Sequence, residues 1–133
     1  MKPHSRHAEQ MLLGSILMNN EWMEIAANEI GPGSFSRVAN GTIFLAMYEL
    51  HKQGAAIDFL TVEDMLGDKL AEAGGAEYIN SLTDAVPADV TEKRIRRAIN
   101  AIQTANIGRT IIYMVERLTE RTVAVDDEDT TLH

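Results

Sequence analysis

The sequence predicts an all-α protein, a compact multi-helix head followed by one long protruding helix. Two observations predict it. Apolar residues recur at three- and four-residue spacing along most of the chain, and alternation of period two never persists beyond a few residues. From Asp89 a helical pattern then runs on well past the length of any earlier segment. At 133 residues the chain is about one domain, and a domain of that size buries roughly two thirds of the surface its unfolded form exposes. It needs no disulfide or metal staple.

The first helix is expected over about Arg6 to Met18, with Ser5 as N-cap and Leu12, Leu13, Ile16 and Leu17 forming a broad apolar face. Gly14 sits inside it. A mid-helix glycine costs roughly 0.5–1 kcal/mol relative to alanine, so a close helix contact is expected there. Asn20 is placed to cap a second helix, EWMEIAANEI, with Trp22, Ile25, Ala26 and Ile30 on one face and GPGS as its stop. The third helix, GTIFLAMYELHKQG, carries Ile43, Phe44, Met47, Leu50 and His51 at 3–4 spacing and offers Gly54 for the left-handed position after its end. AAIDFL is a connector. In TVEDML, Thr61 reads as the cap of a fourth helix, with Asp64 reaching back in a capping box, and that helix should end near Glu72. GGAEYINSLTDAVP is a short fifth helix stopped by Pro87.

The last helix should start at Asp89, with Glu92 at its third position, and reach about Arg121. Its apolar stripe changes direction. Ile95, Ile99 and Ile102 share one face, whereas Ile107, Ile111, Met114 and Leu118 lie roughly 120° around from it. The second set has the 4–3–4 spacing of a coiled-coil seam. A continuous helix that docks on the head with one face and on a partner with the other is the preferred reading. A turn at ANIG, where Asn106 and Gly108 are weak helix formers, is the alternative. Residues 1–90 are thus read as the head, 91–122 as an association arm and 123–133 as a frayed acidic tail. The alternative use of the seam is packing within the chain.

Function classes narrow quickly. The chain has no cysteine, which removes disulfides, zinc–thiolate sites and thiol nucleophiles. No apolar run approaches the roughly 20 residues of a membrane span, and no signal peptide opens the chain. A cytoplasmic protein with no membrane contact is expected. His4 and His7 are three apart, but His4 precedes the helix, and Glu9 lies about 200° around from His7, so the three cannot face one ion. No phosphate loop or nucleophile elbow occurs, and the paired carboxylates sit at helix starts and in the tail. Neither a catalytic site, a cofactor nor a metal is expected. The net charge of −8 and the 5% aromatic content disfavour direct DNA binding. Lys93, Arg94, Arg96 and Arg97 nevertheless form a basic knot. It is either a solvated face or a patch for an acidic protein partner, with nucleic acid as a third use.

The order of motifs resembles that of one family, from Pro3 to about Val90. Pro3, Ser5, Ala8, Glu9, Gln10, Leu13 and Gly14 match its opening pattern. Phe35, Ile43 and Phe44 match an aromatic followed by H-x-x-I-F, and Gly54, Ile57, Asp58, Thr61 and Val62 match G-x-P-[IV]-D-x-x-T-[VL]. Gly74, Gly75, Tyr78, Ile79 and Pro87 match its G-G-x-x-Y-[LI] and closing proline. The chain departs from the pattern at His7 (for glutamate), Ser36 (for an aromatic), Asn40 (for histidine) and Ala56 (for proline). Together these residues are similar to the N-terminal domain of the DnaB-like bacterial replicative DNA helicases.

That resemblance implies a small all-α head with a helical hairpin, of which residues 91–122 would be the first arm. It also implies dimers that assemble into a three-fold ring, and contacts with primase and, in some systems, a helicase loader. The implied role is non-enzymatic: assembly and protein docking in DNA replication, while the family's ATPase motif is absent from this sequence. Self-association is assigned to Ile107, Ile111, Met114 and Leu118, and a partner or nucleic-acid patch to Lys93, Arg94, Arg96 and Arg97. The alternatives are a stand-alone modulator that co-assembles with or blocks a full-length host helicase, and a small nucleic-acid-binding module.

Overall fold

The first helix, α1 (Arg6–Met18), has the predicted bounds and is the hub of the head. Leu12, Leu13 and Ile16 lose all solvent exposure against α2 (Glu21–Glu29), α3 (Val38–Lys52), the 3-10 turn Leu82–Ala85 and the start of α6 (Glu92–Leu132). Between these lie α4 (Phe59–Leu66), packed on α3, and α5 (Gly75–Ser81). This computed structural model describes the backbone of residues 5–132 and the side chains of residues 5–121. Ile43, Phe44, Met47 and Leu50 of α3 are buried as their spacing predicts, while His51 is exposed at the helix end. On α2, Met23 and Ala26 are fully buried and Trp22 and Ile25 only partly.

Several helix ends differ from expectation, each because a better partner is available. Ser5 precedes α1, but its hydroxyl donates to Glu9 Oε2 at 2.8 Å instead of accepting from a helix amide. Asn19, not Asn20, accepts from the Glu21 amide, at 3.1 Å. Asn20 bridges to the connector after α3. Its Nδ2 donates to the carbonyls of Ile57 (2.7 Å) and Ile16 (2.9 Å), and its Oδ1 accepts from the Ile57 amide at 2.8 Å. Three bonds at roughly 0.5–1.5 kcal/mol each make Asn20→Ala about 2 kcal/mol less stable, measurable as a lower urea midpoint with unchanged slope.

The cap of α4 is Asp58 and not Thr61. Asp58 Oδ1 accepts from the Thr61 amide and Thr61 Oγ1 from the Asp58 amide, both at 2.9 Å, a reciprocal box three residues earlier than expected. The helix ends at Leu66 instead of near Glu72, because Gly67 turns to φ +51, a conformation that glycine adopts without penalty. Gly54 takes the left-handed position expected of it, at φ +69. Thr91, not Asp89, starts α6: its Oγ1 accepts from the Arg94 amide at 3.2 Å.

Gly14 makes the close helix contact expected of it, against the 3-10 helix Leu82–Ala85. A Cβ there would fall well inside contact distance of the Leu82 carbonyl oxygen and 2.8 Å from Val86 Cγ2. The turn after α5 therefore lies directly on the backbone of α1, which fixes the position from which α6 departs.

The core also holds a charge. Glu9 is fully buried, with no ion-pair partner among the described residues. Its Oε2 accepts from Ser5 Oγ (2.8 Å), Ser36 N (2.9 Å) and Ser36 Oγ (2.6 Å), and its Oε1 from Asn40 Nδ2 at 2.9 Å. Tyr78 Oη donates to Asn40 Oδ1 and accepts from Gln10 Nε2 at 3.3 Å. The Arg37 guanidinium lies 4.7 Å from the centre of the Tyr78 ring. One cluster thus ties α1, the start of α3 and α5 together. No buried side-chain nitrogen or oxygen among the described residues lacks a partner. Burial pushes the Glu9 carboxyl up, but hydrogen bonds from Asn40, Ser36 and Ser5 outweigh it and hold the group below its ordinary value.

Candidate association and docking surfaces

The last helix, α6, carries two separate apolar faces. The first buries Ile95, Ala98, Ile99, Ile102 and Ala105 in the same core as the head. Gln103 Nε2 donates to the Glu29 carbonyl at 3.0 Å and Arg109 Nη2 to the Ser34 carbonyl at 2.9 Å, close to where the helix leaves the head. No break occurs at Asn106–Gly108. The helix is continuous through it, because a single glycine costs only about 1 kcal/mol and the flanking turns are held by Ala105 and Arg109. At 1.5 Å per residue the 41 residues of α6 span roughly 60 Å. The backbone stays helical to Leu132, past the end expected near Arg121. The tail expected to fray over 123–133 has a helical backbone as far as Leu132, while its side chains, and His4 and His133, lie outside the described residues.

A second apolar stripe faces away from the head. Ile107, Ile111, Met114 and Leu118 are 55–62% exposed, and at 100° per residue they fall within about 60° of arc. Adding Ala98 and Ala105 to the buried face puts its centre roughly 150° from this stripe. Val115, also exposed, widens the seam on one side. Its position four residues after Ile111 was readable in the sequence. Tyr113, equally exposed, lies around the helix from the stripe.

The basic knot is on the surface. Lys93, Arg94, Arg96 and Arg97 are all exposed, with Arg94 Nη2 3.6 Å from Asp89 Oδ1 and Arg96 Nε 3.2 Å from Glu92 Oε2. Exposed pairs of this kind contribute at most about 1 kcal/mol, so both arginines can exchange their partners. His7 is exposed, and among the described residues no three His, Cys, Asp or Glu side chains gather to hold a metal ion. Nor is any described helix long and apolar enough to cross a membrane.

Comparison with known proteins agrees with this architecture. The fold matches the crystal structure of the N-terminal domain of DnaB helicase from Mycobacterium tuberculosis with a TM-score of 0.82, over 90% of this chain and 86% of that one, at 24% identity. It also matches the N-terminal domain of DnaB helicase from Helicobacter pylori, a structure described with its interactions with primase. There the TM-score is 0.75 at 21% identity, over 87% of this chain and 89% of that one. In sequence the chain is 35% identical over 88 residues, 65% of its length, to the replicative DNA helicase DnaB of Treponema pallidum. It is 28% identical over 128 residues, 95% of its length, to that of Geobacillus stearothermophilus. It spans 20% and 28% of those two relatives. The family described as DnaB-like helicase N terminal domain matches residues 1–104, the head together with the turns of α6 that it buries. The chain belongs to the DnaB-like helicase N-terminal domain family.

Proposed function

We propose that this chain is a non-enzymatic assembly and protein-docking domain of a replicative DNA helicase, and that it acts in the cytoplasm. The observation that carries the reading is the exposed seam of Ile107, Ile111, Met114 and Leu118 on a helix leading away from a fully formed core. A contiguous apolar stripe of this kind marks an association surface, and its 4–3–4 spacing suits a helix of another subunit. The partner is a second copy of the chain, paired as a dimer or within a ring-like oligomer. Primase is the second partner, supported by the Helicobacter pylori domain described with its primase interactions. A helicase loader or a full-length helicase fits the same docking role. Direct DNA binding is disfavoured by the charge of −8.

The test is a double substitution on the seam. Ile111→Glu with Leu118→Glu should shift sedimentation velocity towards monomer while the helical circular dichroism of the head persists. An oligomer that survives both substitutions would show that the interface lies elsewhere.

A further inference from the structure

We propose that a groove between the start of α1, the turn at 84–87 and the first turns of α6 docks a short acidic segment of a partner protein, seated by one or two aliphatic side chains. The groove has a volume of 460 Å³, within the range of sites that hold a small ligand. Met11, Val86, Pro87, Ala98 and Ala101 supply apolar walls. The small side chains of Ala98 and Ala101 open the trough, and the contact of Gly14 with Leu82 and Val86 holds its two sides in register.

Charge selects the occupant. Arg94 and Arg97 line the groove one turn apart on α6, on the same face as Ala98 and Ala101. Arg97 holds no ion pair among the described residues, and Arg94 has only the loose exposed pair with Asp89. The knot from 93 to 97 holds four of the twelve Lys and Arg residues of an otherwise acidic chain. An incoming carboxylate would therefore find a local cationic rim beside an apolar trough, the arrangement that binds an acidic amphipathic helix. Nucleic acid fits less well. Asp84 lines the same groove and its one ring is the exposed His7, with no Phe, Tyr or Trp, so phosphates meet a carboxylate and bases have little to stack on. The proposal rests on the docking-domain reading in taking the occupant to be a protein, but it does not involve the seam.

The experiment titrates the isotope-labelled chain with a synthetic acidic peptide carrying leucines one helical turn apart, followed by amide chemical shifts. Saturable shifts are expected around Met11, Val86, Arg97 and Ala98, and they should weaken with salt. Arg94→Glu with Arg97→Glu should lower affinity about tenfold, and Ala101→Trp, which fills the trough without changing charge, should do the same. Unchanged circular dichroism would confirm that both variants fold. The proposal is overturned by any of four results: no saturable shift at low salt; equal shifts with a lysine-for-glutamate peptide; shifts confined to 107–118; or displacement of the acidic peptide by single-stranded DNA. It is also overturned if groove signals move with protein concentration alone, since the occupant would then be a second copy. Loss of seam association in sedimentation is a separate readout, so either reading can fail without the other.

Discussion

Glu9→Ala should destabilise the domain by about 3–5 kcal/mol, the largest effect expected of any single substitution outside the hydrophobic core. Removing the carboxylate leaves Asn40 Nδ2, the Ser36 amide and hydroxyl and Ser5 Oγ without their acceptor. Each buried orphan donor costs roughly 1–3 kcal/mol, partly recovered where water can enter. Chemical denaturation followed by circular dichroism checks the value. The same residue makes the fold acid-sensitive. Its folded-state pKa lies below the ordinary one, so its contribution is complete above the unfolded glutamate value, roughly 4.3. That contribution is lost as pH falls from there through the folded-state pKa. The wild type should therefore lose stability more steeply than Glu9→Gln over that acidic range. Parallel profiles would show that Glu9 is not held as an anion.

Gly14→Val should cost about 3 kcal/mol, the upper end for overpacking a core. The obstacle is backbone: the Leu82 carbonyl has no rotamer to change, and Val86 lies behind it. Gly14→Ala would gain up to about 1 kcal/mol of helix propensity, yet it meets the same carbonyl and should still be destabilising. Gly33→Ala is the control. Gly33 is exposed and a Cβ there meets nothing within 4 Å, so its stability should stay within about 0.5 kcal/mol of wild type. Thermal melts of the three variants would separate the close contact from a general intolerance of changes at glycine.

These two positions also mark the limits of reading the chain as a sequence. Helical periodicity located α1 to its ends and picked out Leu12, Ile16, Ile43, Phe44, Ile95 and Ile102, because sidedness is a local property written at 3–4 spacing. It flagged Gly14 as a close helix contact, but not that Leu82 and Val86, some seventy residues on, make it. Glu9 was visible only as one residue of a motif and as a rejected metal ligand. Its donors at Ser36 and Asn40 are 27 and 31 residues away, beyond any local pattern. Those two donors are also two of the four positions where the chain departs from the family pattern, so the altered residues meet on one carboxylate. The caps slipped for a related reason. Asn19 and Asn20 are equally good candidates by type, and the choice is made by Ile57, which claims Asn20 from across the fold. The seam was legible from its spacing, but its exposure depended on where the head ends. The groove beside Arg94 and Arg97 could not be read at all, since three segments far apart in the chain build it.

The central claim is that α6 is an association arm whose partner covers the stripe at 107–118. Hydrogen–deuterium exchange of the whole chain, measured at protein concentrations spanning the association range, tests it most directly. Amides of 107–118 should become slower to exchange as concentration rises, while those of α1 and α3 in the core stay unchanged. Concentration-independent exchange over 107–118, with protection appearing on another surface, would contradict the account.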